Sequence, residues 1–282
     1  MSRLTNQELV PNPVQKYISW KNVQTTKVID GEEYKKITGG NFNYYDKDAF
    51  NEAKGENGLN VTVPMPFEFA ILDKDTFSYK GNDKANNNRY VWTKEISKYT
   101  TGNVELKSKE GVLYTFDIAD LRAKETKDKV KGKIREVSKD IDYTQSVYIA
   151  VMVDGEWEIW NLQINGGALS GGNGKKEKKD IPKEDLSDGW FGFLQTVRGK
   201  EFSHTMVVKD FKPKKNGDVT FMIPVFELGN PIAAEEGKKL DELCQEVEDF
   251  LKASAKYTAT IETKEESVAA EVSEDLPWES KK

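Results

Sequence analysis

The sequence predicts a mainly β protein of the α+β class, and three observations carry that expectation. Apolar residues alternate with polar or small ones in several runs, two dipeptides of the kind that close hairpins sit between such runs, and helical spacing is confined to two segments.

Taken in order, the first alternating run is Val61, Val63, Met65, Phe67, Phe69 and Ile71. Pro64 and Pro66 each remove a ladder donor, so an edge strand or a bulge is expected there. Tyr90 and Trp92 share one face of a strand whose other face carries Val91 and Thr93. Val104–Leu106 and Val112–Phe116 flank a Lys-Glu-Gly turn and read as a hairpin. Asp154-Gly155 suits a two-residue type I′ turn, which pairs Val153 with Glu156, Met152 with Trp157 and Ile149 with Trp160. One face of that hairpin carries Val147, Ile149, Val151, Trp160 and Leu162, and the other Tyr148, Met152, Trp157 and Ile159. Both faces are apolar, so both must be covered, by core on one side and by a helix, loop or ligand on the other. Asn216-Gly217 marks a further hairpin, from 202–215 into 218–228.

Val130, Ile134 and Val137 stand at helical spacing in a basic segment. A longer helix is expected after Asn230, an N-cap type, with Pro231 at its first position. Its stripe of Leu240, Leu243, Cys244, Val247, Phe250 and Leu251 docks on the core or self-associates, and Cys244 within it reads as packing. The Gly-, Lys- and Ser-rich stretch from Asn165 to Lys183 reads as a mobile loop. From Glu262 onward large apolar residues are too few to offset ordering entropy. The expected organisation is a core over 1–230, an amphipathic helix over 231–257 and a flexible acidic tail over 258–282.

Composition narrows the chemistry. One cysteine precludes an intrachain disulfide, no apolar run is long enough to span a bilayer, and no apolar stretch follows Arg3, so the cytoplasm is expected. The net charge of −6 is uneven: Glu262 to Lys282 holds seven acids and three bases. Between Leu121 and Lys139 lie Arg122, Lys124, Lys127, Lys129, Lys131, Lys133, Arg135 and Lys139, against three acids. Local fields govern polyanion binding, so an acidic total does not exclude it. The single histidine, His204, removes His-pair zinc motifs, and no cysteine cluster can bind zinc. The Gly-rich loop lacks phosphate-loop spacing: Leu169 stands where the first Gly is required and Lys176 where Ser or Thr should be. Glu105-Leu106-Lys107 matches a nuclease E-x-K only at a length common by chance in so charged a chain. A non-enzymatic protein without metal or cofactor is expected.

The aromatic residues point to a ligand. Six Trp, eleven Tyr and thirteen Phe include several beside cations: Lys16-Tyr17 before Trp20, Tyr79-Lys80, and Arg89-Tyr90 before Trp92-Thr93-Lys94. Single strands are held by aromatic faces that stack on bases and by Lys and Arg along the phosphates. For any one aromatic a core position is the commoner role. Candidate contacts are Trp20, Tyr44, Tyr45, Tyr79, Lys80, Arg89, Tyr90, Trp92, Lys94, Lys129, Lys131, Lys133 and Trp157.

The end of the chain, Ser273-Glu274-Asp275-Leu276-Pro277-Trp278-Glu279-Ser280-Lys281-Lys282, resembles the acidic tip of single-stranded DNA-binding proteins. It departs from that pattern in having Trp for the usual Phe and four further residues. The segments Asn12-Pro13 with Lys16–Trp20, Phe42–Lys47, Pro66–Asp73, Ser146–Ala150, Gly166–Ser170 and Phe221–Phe226 are together similar to phage-encoded members of that group, with 21–40 resembling an insertion. The resemblance implies an oligonucleotide-binding (OB) Greek-key barrel and sequence-independent single-stranded DNA binding in phage replication, recombination or repair. It also implies recruitment of replication or recombination proteins through Asp275, Leu276, Pro277 and Trp278. Alternatives are a recombination mediator or annealing protein, a virion interaction protein that binds no DNA, and a metal-dependent nuclease.

Overall fold

The computed structural model describes residues 10–29, 32–45, 60–172, 181, 185–216 and 219–273. In chain order the strands are β1 (Lys16–Ile29), β2 (Glu32–Tyr45), β3 (Asn60–Thr62), β4 (Phe67–Asp83), β5 (Arg89–Trp92), β6 (Asn103–Ser108), β7 (Gly111–Asp117), β8 (Asp142–Val153), β9 (Glu156–Asn165), β10 (His204–Asn216) and β11 (Val219–Pro231). Helices α1 (Ile118–Arg122) and α2 (Lys127–Val137) lie between β7 and β8. Helices α3 (Gly166–Ser170) and α4 (Gly189–Thr196) lie between β9 and β10, and α5 (Ala234–Ser273) follows β11. The molecule is mainly β, with one large mixed sheet and few helices.

The sheet runs β3-β2-β1-β9-β8-β4-β5-β6-β7, with β10 beside the start of β4 and β11 beside β10. Among the described strand pairs only β1–β9 is parallel. β4 is the spine. β8 follows one of its edges, while β10 takes Phe67–Phe69 and β5 takes Lys80–Asp83 on the other. Bulges around Asp73 bend it between those partners. The β8–β9 hairpin has the expected register, Ile149 opposite Trp160 and Met152 opposite Trp157, through a turn with φ of 50° at Asp154 and 88° at Gly155. Both central residues of a type I′ turn need positive φ, which Asp tolerates and Gly adopts freely.

Three clusters fill the interior. On one sheet face, Ile18, Phe69, Val147, Ile149 and Leu162 meet Trp190 and Phe193 of α4 and Met206 and Val208 of β10. Further along that face, Tyr79, Val91, Leu106 and Phe116 meet Ile118 and Leu121 of α1 and Val130 and Ile134 of α2. On the opposite face, Ala70, Leu72, Tyr148, Ala150 and Ile159 are covered by Leu240, Val247 and Leu251 of α5. The two apolar faces of the β8–β9 hairpin are thus both covered by protein except at Met152, near the turn, which is 44% exposed, and the α5 stripe docks on its own chain.

Several expectations need correction. The alternating run breaks where Pro64 and Pro66 cannot donate: β3 ends at Thr62 and β4 starts at Phe67. Asn230 and Pro231 finish β11 instead of opening the helix, because Ile232 N–H is taken by Ser203 C=O and α5 starts at Ala234. α5 continues to Ser273, beyond the expected end at 257. The expected loop opens with α3, capped by Gly171 at φ 64°, while 173–180 and 182–184 lie outside the described residues. Side chains join β1 to β11: Trp20 Nε1 donates to Met222 C=O at 3.2 Å, and Met222 N–H to Asn22 Oδ1 at 2.8 Å. Backbone pairing does not close the sheet among the described residues. None of the described helices is long and apolar enough to cross a membrane.

Candidate functional site

The site follows from strand alternation. β4 and β5 pair Lys80 with Trp92 and Asn82 with Tyr90, while Tyr79 and Val91 turn the other way into the α1–α2 core. Lys80, Trp92 and Tyr90 therefore emerge on the face that α5 covers further along. The Tyr90 and Trp92 rings lie two residues apart on one strand face, with centroids 5.6 Å apart and planes 18° apart. Tyr90 is 47% exposed.

These rings wall a groove of about 290 Å³, lined also by Ser78, Lys80, Thr93, Glu95, Lys109 and Gln163. A second depression shares Lys80 and Tyr90 and continues past Lys84, Lys139, Asp140, Asp142 and Asn165. Lys80 Nζ donates to Gln163 Oε1. Burial holds its ammonium below the ordinary range, and the nearby Glu95 carboxylate works in the opposite direction. Glu95 Oε2 accepts the Tyr148 hydroxyl at 2.6 Å, and Oε1 accepts from Asn161 Nδ2 at 3.5 Å. Burial, then Glu95, pushes the Tyr148 phenol well above its usual value. Asp142 is raised by burial and by Asp140, which accepts the Lys84 N–H at 3.2 Å. Cations and carboxylates are mixed, so the surface is moderately basic at most.

The other candidate residues are elsewhere or engaged. Tyr79 is buried, edge-on to Phe77 and Tyr143, and burial pushes its phenol up to about 12. Trp20 packs edge-on against Phe42 at 5.0 Å and ties β1 to β11. Tyr44 leans on Trp160 at 5.8 Å, with Lys16 Nζ 5.1 Å from its ring centroid. Trp157 packs on the cluster under α5. Tyr79 is thus turned into the core, while Trp20, Tyr44 and Trp157 are half-buried and make these packing contacts. Arg89 donates through Nε and Nη2 to Asp83 Oδ2 and reaches Glu110 with Nη1. Lys94 is exposed. Lys129 and Lys133 are exposed and Lys131 is half-buried, all on α2. Since Val130 and Ile134 pack with Tyr79 and Val91, α2 lies across the sheet from the groove. The side chain of Tyr45, and Asp275, Leu276, Pro277 and Trp278, lie outside the described residues.

Sequence reasoning missed Glu95, Lys109, Gln163 and Lys84, and named Lys139 only within the basic segment. Gln163 had a usable signal, since the Asp154-Gly155 register puts it opposite Ser146. The others come from turns and strand ends, which periodicity does not place. Among the described residues no group of three or more His, Cys, Asp or Glu could hold a metal ion. The E-x-K pair is an ion pair between Lys107 and Glu105 along β6. Ser203 Oγ lies 3.0 Å from Nδ1 of His204, at the start of β10. No family model, curated protein or solved structure matches the chain.

Proposed function

We propose that this chain binds single-stranded nucleic acid along the Tyr90–Trp92 groove and catalyses no reaction on it. The observation that carries the reading is a pair of parallel aromatic rings, one of them open to solvent, in a groove bordered by Lys80, Lys84, Lys109 and Lys139. Every base has a π-face, so stacking supplies affinity of about 1–3 kcal/mol per base without demanding a sequence. The carboxylates of Glu95, Asp140 and Asp142 limit phosphate contacts to a few. Stacking is therefore the larger contribution and salt the smaller lever.

An OB-type architecture accompanies this reading. The parallel β1–β9 pair and the β10–β11 hairpin tied to β1 by Trp20 and Asn22 support a curled, partly open barrel. The resemblance of the sequence adds a cellular role: coating single strands in phage replication, recombination or repair in the host cytoplasm, with Asp275, Leu276, Pro277 and Trp278 engaging a partner protein.

The test is titration of tryptophan fluorescence with oligo-dT in chelator at several salt concentrations. Quenching that weakens with salt supports the reading. No quenching and no gel shift at low salt overturns it.

A further inference from the structure

The sheet face that bears the groove changes character along its length. Under α5 it is apolar, where Ala70, Leu72, Ala150 and Ile159 meet the helix. Beside the groove the buried side chains are instead Ser78, Thr144, Ser146 and Asn161. Strand register places Thr144 opposite Ser78 and Ser146 opposite Gln163, so they share the face of Lys80 and Trp92. Thr144 Oγ1, Ser146 Oγ and Asn161 Oδ1 are buried and bond no other described residue. A face packed for stability alone takes the apolar solution seen under α5, because orphaned buried polar atoms are costly. This stretch is built polar for another reason.

Its geometry offers one. Trp92 supplies a flat wall, and Glu95 lines the same groove. An ionised carboxylate only accepts, and its two oxygens hold more lone pairs than the single bonds from Tyr148 and Asn161 use. A ring stacked on Trp92 with its edge toward Glu95 must therefore present an N–H. At ring position 4 cytosine presents an amino group, whereas thymine presents a carbonyl, which a carboxylate repels and which flanks the one N–H, at N3, that thymine has to offer. The two bases are similar in size, so the difference lies in that edge.

We infer that the groove seats one unpaired base against Trp92 and that Glu95 selects for an exocyclic amino group, so cytosine is held in preference to thymine. This rests on the nucleic-acid reading above and adds to it a base preference at one position.

The experiment compares oligo-dC and oligo-dT of equal length, titrated against the full chain at fixed salt and neutral pH. Oligo-dC should bind more tightly by about tenfold, the order expected of a specific base-edge contact. Glu95→Gln should bring the ratio toward one, because a carboxamide donates as well as accepts. Glu95→Asp, which withdraws the carboxylate by one methylene, should narrow it too and provides a second variant if the first does not fold. Equal wild-type affinities, or tighter oligo-dT, overturn the inference and leave strand binding intact. A ratio unchanged in both variants removes Glu95 as the selector and equally overturns it. Binding of neither oligonucleotide overturns both readings.

Discussion

Asp83 and Arg89 are bound across the β4–β5 turn, with Arg89 Nε and Nη2 both donating to Asp83 Oδ2 at 3.3 and 3.2 Å. The carboxylate is 2% exposed and also accepts from Asn86 Nδ2 at 2.7 Å. This arrangement fixes the ends of β4 and β5, and so fixes Tyr90 and Trp92 relative to Lys80. Arg89 thereby serves the groove by holding its frame.

That role has a pH signature. The Asn86 hydrogen bond, and further the Arg89 guanidinium, hold the Asp83 carboxyl below its usual value. A carboxyl lowered on folding contributes stability that is present above its unfolded value of about 3.9 and is lost as pH falls through the folded one. Asp83→Asn should therefore melt lower than wild type at pH 7, and the gap should narrow progressively in melts taken further below about pH 4.

Trp92→Ala should weaken single-strand binding by about 1–3 kcal/mol, the loss of one stacked base, with the far-UV spectrum unchanged. Trp157→Ala should do the reverse, leaving affinity alone and lowering the melting temperature, since its ring packs under α5. Gel shifts and thermal melts on both variants check the pair. Loss of binding in Trp157→Ala with none in Trp92→Ala would put the strand on the wrong stretch of the sheet.

Salt dependence separates the groove from the basic helix. For single strands the log–log salt slope falls by about 0.7 for each phosphate that is no longer neutralised by a cation. Lys84→Ala with Lys139→Ala should flatten it by about 1.4 if each meets a phosphate. Reversing Lys129, Lys131 and Lys133 to Glu should shift affinity only through the long-range field and leave the slope in place, because α2 lies across the sheet.

The docking of α5 can be read at Cys244. Burial, and then Asp241, pushes its thiol up to about 11, and Sγ faces Leu72 C=O at 3.7 Å. At pH 8 alkylation should be slow. Leu251→Ala removes a buried side chain from the same helix–sheet packing and should cost about 2–5 kcal/mol in denaturant melts, with faster alkylation of Cys244.

Local chemistry made the hairpins legible. Asp154-Gly155 determined a register, that register determined two faces, and both faces are covered away from the turn. The Tyr90–Trp92 pair was legible for the same reason. Strand order was not. β8 lies beside β4 and β9 beside β1 because of packing between residues far apart in the chain, which no window of periodicity encodes. The candidate site was half legible as a result: Trp92 came from alternation and Lys80 from its place beside Tyr79, whereas Glu95 and Lys109 reach the groove from turns and strand ends and Lys139 was named only within the basic segment. The packing of Tyr79 in the core and of Trp20 against Phe42 was not legible, because an aromatic beside a lysine looks alike whether its ring faces a ligand or a core.

The parallel pairing of Lys16–Ser19 with Trp160–Gln163 has a consequence for synthesis on the ribosome. The second strand of that pair emerges about 140 residues after the first, a delay of roughly 7–28 s at translation rates of about 5–20 residues per second. The β1–β2 hairpin can form early from its own pairing, yet one of its edges stays bare throughout that interval, a template for pairing with another nascent chain. A chain cut short before Trp160 keeps that edge for good. That edge is satisfied only once β9 has emerged, and crowded polysomes carrying the protein's message are where misassembly would begin.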